Sequence, residues 1–219
     1  MTSSHWTADT LIAILALTLC ITTVPVPAAA SPASPAELPA SEVVQPKTDE
    51  EIAREYFSDL PLLTHDGREV RFFSDLLKDH VVVINSFFTH GQTIAPGQHQ
   101  VLMRLQEMLQ ESLGREVFII SITVDPERDT VERLNEYVAG LELNPKPGWV
   151  FVTGKPENID WVNSKLGQHV EELEDHKGIY LAGNVKTTLW MKVPAHGQPL
   201  DLYRTIQRLL EDQGEPTND

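Results

Sequence analysis

The chain has 219 residues, a length that fits one domain of ordinary size with appended segments. It carries 32 acidic and 17 basic residues, for a net charge of −15 at pH 7, so its surface repels nucleic acid and anionic lipid. The single cysteine, Cys20, excludes an internal disulfide and leaves no cysteine pair for thiol–disulfide exchange.

The first 30 residues are typical of a targeting segment. Leu11 to Val24 is an uncharged apolar run, and Ala28 to Ala30 supply the small residues of a cleavage site. The run is shorter than the ~20 residues that a membrane-spanning helix needs. We therefore expect residues 1–30 to be a signal peptide, with an uncleaved membrane anchor as the alternative. The protein is then exported, to the periplasm or the extracytoplasmic face of the membrane, and cleavage removes Cys20.

The rest of the chain divides into three parts by composition. Residues 31–50 are rich in Ala, Pro and Ser without hydrophobic periodicity, which predicts an extended linker. Alternating apolar patterns over residues 51–213 predict one folded domain. The polar residues 214–219 predict a flexible tail.

Within the domain, strand and helix patterns alternate along the chain. The predicted strands are short and apolar: Glu69–Phe73, Val81–Phe88, Val117–Val124 and Trp149–Thr153. The predicted helices carry an apolar stripe with a period near 3.6 residues: Gln98–Leu113, a segment capped by Asp129 or Thr130, a segment starting at Pro156, and one after Pro199.

A hairpin is predicted before the last helix, with strands Ile179–Ala182 and Thr187–Val193 around Gly183-Asn184. The resulting order is β-α-β-α-β-α-β-β-α. Early strands separated by helices imply parallel pairs, and the hairpin adds an antiparallel pair. The sequence therefore predicts an α/β fold with a mixed sheet that is covered by helices on both faces.

Five local motifs, in this order, resemble the Sco/SenC family. They are Leu63-Thr64-His65-Asp66-Gly67, the run from Val83 to His90, the run from Ile120 to Thr130, the run from Thr153 to Glu157, and Asp175-His176. The run from Ile120 to Thr130, which contains Asp125-Pro126-Glu127-Arg128-Asp129, is the most specific match. The resemblance covers about Phe57 to Leu210.

The resemblance implies a thioredoxin-like three-layer fold and a role in delivering copper to cytochrome c oxidase outside the cytoplasmic or inner mitochondrial membrane. In the family, Thr-His is followed by C-x-x-x-C-P, and a distant histidine completes a copper site. Gly91 and Ala95 stand at the two cysteine positions here, Pro96 is retained, and His176 stands at the histidine position. One ligand of three therefore remains.

His176 and His90 are the candidate metal ligands, with His99 and Met103 as further donors nearby in the sequence. Copper(I) prefers thiolates and thioethers, whereas copper(II) and zinc accept imidazole. A rebuilt site would therefore hold copper(II) or zinc. The alternative is that His90 is an ordinary loop residue, His99 a solvated helix residue and His176 a remnant of the family site.

Asp125 has two interpretations. It follows a predicted parallel strand, and α/β sheets place ligand sites at the carboxyl ends of such strands. It also precedes Pro126, and Asp is common in turns.

The resemblance and the candidate residues lead to three alternative hypotheses for the function. The first is a non-enzymatic, exported Sco-like protein with a degenerate copper site, acting in cytochrome oxidase assembly or copper homeostasis. Its partner would be a respiratory oxidase subunit or an assembly factor, which contacts residues 91–98. The second is a weak copper(II) or zinc protein that uses His176 and His90. The third is a thioredoxin-fold peroxidase, which is disfavoured because such enzymes need a reactive cysteine at the loop.

Overall fold

A computed structural model describes residues 47–90, 94–140, 142, 144–167 and 178–214. The predicted signal peptide, residues 31–46 of the predicted linker and residues 215–219 of the predicted tail lie outside this part. The candidate ligand His176 and the cysteine position Gly91 also lie outside it.

The described residues form seven strands, five α-helices and two short helical turns. The strands are β1 (Pro61–Thr64), β2 (Glu69–Arg71), β3 (Val81–Phe87), β4 (Val117–Thr123), β5 (Trp149–Thr153), β6 (Ile179–Asn184) and β7 (Leu189–Pro194). The α-helices are α1 (Asp49–Phe57), α2 (Ile94–Leu109), α3 (Val131–Gly140), α4 (Pro156–Lys165) and α5 (Pro199–Glu211). A π-helical turn spans Phe72–Leu77, and a 3₁₀ turn spans Gln110–Ser112.

The strands form one mixed sheet in the order β2-β1-β5-β4-β3-β6-β7. Its centre is parallel, since β3 pairs with β4 and β4 pairs with β5 in the same direction. The outer pairs are antiparallel. This arrangement confirms the mixed sheet with parallel early strands and a late hairpin.

Two apolar cores cover the two faces of the sheet, as predicted. The residues of β3 alternate between them: Val81, Val83 and Phe87 pack with α2, α3 and α5, whereas Val82 and Ile84 pack with α1, α4 and the π-helical turn. A strand that is buried on both faces therefore appears in the sequence as a continuous apolar run.

Capping residues and a proline mark the starts of two helices. Thr48 and Glu51 form a reciprocal capping box at α1, and Pro156 occupies the first turn of α4. None of the helices in the described residues is long and apolar enough to cross a membrane.

Several element predictions were wrong in detail. The elements α1 and β1, which are short, were not predicted, and the predicted β2 extended through Phe73. Phe72 and Phe73 instead begin the π-helical turn, which buries both rings. The hairpin does not turn at Gly183-Asn184. Both residues belong to β6, and the chain reverses between residues 185 and 188.

Candidate functional site at the carboxyl ends of the parallel strands

The carboxyl ends of β3 and β4 lie side by side. Phe87 on β3 is opposite Thr123 on β4 in the parallel register, so the two strands end at the same level of the sheet. His90 follows β3 and Asp125 follows β4, which places the two candidate residues at one edge. α/β proteins use this edge of the sheet for ligand sites. We call the segments around His90 and Asp125 the site edge.

Asp129 holds the chain where it leaves β3. Its carboxylate is fully buried and accepts hydrogen bonds from Thr89 Oγ1 at 2.5 Å, Thr89 backbone N at 3.1 Å and Thr123 Oγ1 at 2.6 Å. Hydrogen bonds to a charged acceptor are short and strong, and here they offset the cost of burying the carboxylate. Because Asp129 is occupied in this way, Thr130 caps α3, with its Oγ1 accepting from Arg133 N at 3.3 Å.

The imidazole of His90 lies between a carboxylate and a guanidinium. His90 Nδ1 is 3.7 Å from Asp125 Oδ2, and Arg128 Nη1 is 3.7 Å from the same oxygen. Arg128 Nη1 also lies 3.4 Å from His90 Nε2. The Asp125 side chain is 14% exposed and the Arg128 side chain 70% exposed, so the carboxylate is fixed and the guanidinium faces solvent.

The structure confirms the turn interpretation of Asp125, and its role in a ligand site stays a prediction. Its backbone carbonyl accepts from the amides of Arg128 and Asp129, which closes a turn after Pro126. Its side chain faces His90 at the site edge.

His99 is buried in the core, which corrects the expectation of a solvated helix residue. It is 0% exposed, with Nδ1 3.0 Å from Tyr137 Oη and Nε2 3.4 Å from Asn85 Nδ2. Asn85 Oδ1 accepts from Ser121 Oγ at 2.7 Å, and Ser121 Oγ accepts from Trp149 Nε1 at 3.1 Å. His99 therefore belongs to a buried chain of hydrogen bonds.

The order of donors along this chain assigns the tautomer of His99. Trp149 only donates, so the Ser121 hydroxyl proton goes to Asn85 Oδ1, and Asn85 donates from Nδ2 to His99 Nε2. His99 then donates from Nδ1 to Tyr137. Burial lowers the pKa of His99 to about 3. Burial is also the main cause that raises the pKa of Tyr137, and the charge of Asp129 adds to it. Both ring nitrogens of His99 are thus engaged, and neither is free to bind a metal.

The first turns of α2 are joined to the start of β6. Tyr180 Oη donates to the carbonyl oxygen of Gln98 at 2.8 Å, and burial raises the pKa of Tyr180. Gln98 is 2% exposed, yet neither polar atom of its side chain has a hydrogen-bond partner among the residues that the structure describes. Asp125 Oδ2 is also buried, with no hydrogen bond from the described part of the chain. Buried polar atoms without partners are uncommon in native proteins, and a functional role is one explanation for them.

The residues present do not fit the thiolate copper site that the resemblance implies. Gly91 and Ala95 supply no donor atom at the two cysteine positions. Within the described ranges, no group of three or more His, Cys, Asp and Glu side chains is arranged to hold a metal ion. His90 offers one imidazole, which is compatible with copper(II) or zinc but is a poor partner for copper(I).

His90 and Asp125 were predicted from the sequence, but the roles of Thr89, Arg128 and Asp129 were not. A usable signal existed, since Arg128 and Asp129 belong to the same motif as Asp125, and Thr89 precedes His90 directly. The contacts of Asp129 with Thr89 and of Arg128 with His90 depend on the register of β3 and β4. A local sequence pattern does not predict that register.

Comparisons with known proteins agree with this fold. The family model described as SCO1/SenC matches residues 48–207. The mitochondrial protein SCO1 homolog 1 of Arabidopsis thaliana is 35% identical over 120 residues, which covers 55% of this chain and 34% of that protein. The matches span less than half the length of each curated relative.

Two solved structures show the same fold. Arabidopsis thaliana ScoI with copper bound has a TM-score of 0.57 at 23% identity and covers 69% of this chain and 96% of that chain. BsSco, described as a member of the Sco family of cytochrome c oxidase assembly proteins, has a TM-score of 0.58 at 22% identity, covering 70% and 92%. At this identity the likeness shows the fold alone, and it confirms the thioredoxin-like prediction.

Proposed function

This chain belongs to the SCO1/SenC family, and we propose that it is an exported, non-enzymatic member that works by binding a protein partner. Its role would be in cytochrome oxidase assembly or copper homeostasis. The partner is a respiratory oxidase subunit or an assembly factor, and the site edge with residues 91–97 is the contact surface. Gln98, which was predicted to belong to this surface, is buried.

One combination of features carries this proposal. The frame of the site edge is intact, because Asp129 holds Thr89 and Asp125 faces His90, yet the positions of both thiols are occupied by Gly91 and Ala95. A frame that holds no thiolate cannot exchange disulfides. It can still present a shaped surface to a partner. The exposed guanidinium of Arg128 and the half-exposed imidazole of His90 supply polar groups for that contact.

The partner surface is tested by affinity purification from membranes that contain the oxidase. Tagged wild-type protein should recover an oxidase subunit or assembly factor, identified by mass spectrometry. Arg128→Glu reverses the charge at the centre of the site edge and should reduce recovery by roughly 10-fold, about 1.4 kcal/mol. Arg133→Glu is the matched control, since Arg133 is also exposed but lies on α3. Equal recovery with wild type and Arg128→Glu would refute the proposed surface.

A second candidate function is weak binding of copper(II) or zinc by His90 and His176. One observation favours it: His90 Nδ1 points to the carboxylate of Asp125. Histidines that bind metals through one nitrogen commonly have the other oriented by a carboxylate. Arg128 would have to move away from His90 Nε2, and its exposure allows that movement.

Export is part of the same proposal. The apolar run Leu11–Val24 and the small residues before position 31 support it. Fusing residues 1–50 to alkaline phosphatase, which is active only after export, tests it. Active reporter supports export, and an inactive but stable fusion opposes it.

A further inference from the structure

A groove of about 370 Å³ lies between α1, the end of α4 and the β6–β7 hairpin. Its volume is within the range of ligand-binding clefts. We call it the apolar groove, because eight of its nine lining residues are uncharged: Ile52, Ala53, Tyr56, Phe57, Lys165, Leu166, Leu181, Thr188 and Trp190. Ile52 and Tyr56 are 51% and 49% exposed, so large apolar surface faces solvent here.

The floor of the apolar groove is built by a glycine and a tryptophan. Gly183 on β6 pairs with Trp190 on β7, and a Cβ added to Gly183 would lie 2.3 Å from the Trp190 ring. The indole therefore lies flat across the strand. Its ring centre is 5.4 Å from that of Phe57 on α1. Packed on both sides in this way, the indole forms a fixed apolar wall.

Among the described residues that line the groove, Lys165 alone is charged. Its Nζ lies 5.0 Å from the ring centres of both Tyr56 and Trp161. No carboxylate lies within ion-pair distance of it in the described residues, although the chain has 32 acidic side chains and a net charge of −15. Tyr56 Oη donates to the Lys165 carbonyl at 3.0 Å, which ties α1 to α4 beside this ammonium group. Among the residues that the structure describes, the groove thus pairs apolar walls with one cation that has no carboxylate within ion-pair distance.

From this arrangement we propose that the apolar groove binds a peptide segment of a partner protein in which an aromatic or aliphatic side chain stands beside an Asp or Glu. The apolar side chain fills the space between Tyr56 and Trp190. The carboxylate pairs with Lys165, whose ammonium group lies 5.0 Å from the centres of two aromatic rings at the edge of the groove. The groove shares no residue with the site edge, so this inference and the proposed function can fail separately.

The test is selection of a random peptide library displayed on phage against the full chain. Peptides that combine an aromatic or aliphatic residue with Asp or Glu within two positions should be enriched. Their affinity, measured by fluorescence polarisation, should fall at least 10-fold for Lys165→Glu. Lys155→Glu, at the other end of α4 and outside the groove, should leave the affinity unchanged.

Other outcomes overturn the inference. Enriched peptides without acidic residues, or peptides insensitive to Lys165→Glu, would show that the cation does not select the ligand. An absence of enriched peptides would show that the groove holds no such segment. Self-association in sedimentation experiments that Ile52→Asp abolishes would assign the groove to a second copy of this chain.

Discussion

Thr89 and Asp129 are 40 residues apart in the chain, yet the Thr89 hydroxyl donates to the Asp129 carboxylate at 2.5 Å inside the protein. The same carboxylate accepts from Thr123 at the end of the neighbouring strand. One buried charge therefore joins the exits of β3 and β4. None of these bonds involves the two cysteine positions, which explains how the frame of the site edge persists without thiols.

Asp129→Asn should lower the free energy of unfolding by about 1–3 kcal/mol. The amide removes the charge from three short hydrogen bonds and brings an N–H₂ group towards hydroxyls that already donate. Urea unfolding measures the loss, and the amide resonance of Thr89 reports on the chain after β3. Asp160→Asn is the control, because Asp160 is exposed on α4 and should change stability by less than about 0.5 kcal/mol. Equal effects of the two substitutions would contradict the claim that the Asp129 carboxylate stabilises the ends of β3 and β4.

Stability should fall as the pH drops below 6.5 because of His99. Its pKa in the folded protein is about 3, against an ordinary 6.5, so between these values the unfolded chain binds a proton that the folded chain does not. The contribution is complete above pH 6.5 and is lost progressively towards pH 3. At pH 5 the loss from His99 is about 2 kcal/mol. Burial also lowers the pKa values of His65 and His80, which add to the loss in the same direction.

Urea unfolding at pH 7 and pH 5 checks this prediction. His99→Gln should weaken the fold at pH 7 but flatten the decline towards pH 5, because glutamine does not titrate. His196→Asn should keep the wild-type decline, since His196 is exposed. A wild-type stability that is flat over this range would mean that His99 is protonated in the folded protein.

The sequence predicted the parallel centre of the sheet because β3, β4 and β5 are buried on both faces and carry the strongest apolar runs. The prediction was wrong for elements at the periphery of the sheet. β1 has four residues and α1 nine, and such short segments give little periodic signal. Gly183 was interpreted as a turn residue, since glycine is common in turns. Its actual role is to make room for Trp190, a contact that depends on strand register.

The site was predictable in outline only. The family motifs located His90 and Asp125 at strand ends, and the parallel register brings them together. The polar network around His99 was not predictable, because His99 lies on the amphipathic helix α2 with no local sign of its partners Asn85 and Tyr137. These residues meet only when α2 and α3 pack on the same face of the sheet.

Gly183→Ala should displace Trp190. The added methyl group meets the indole at 2.3 Å, so the ring must leave the strand or the backbone must shift. Overpacking of this kind costs about 1–3 kcal/mol. Near-ultraviolet circular dichroism reports the indole and urea unfolding reports the cost. Gly140→Ala, where no atom of the described residues lies within 4 Å of the added Cβ, should leave both unchanged. An unaltered tryptophan spectrum in Gly183→Ala would contradict the packing described for the apolar groove.

Metal titration separates a surviving metal role from a lost one. Copper(I) should bind no tighter than about micromolar, because no thiolate stands at the site edge. If His90 and His176 hold copper(II) or zinc together, either His→Ala substitution should weaken binding by roughly 10-fold or more, and His196→Ala should have no effect. Weak binding that is indifferent to His90 and His176 would place the metal on the acidic surface of the protein. The site edge would then function through protein contacts alone, and Arg128, which faces His90 Nε2 at 3.4 Å, would be its principal charged group.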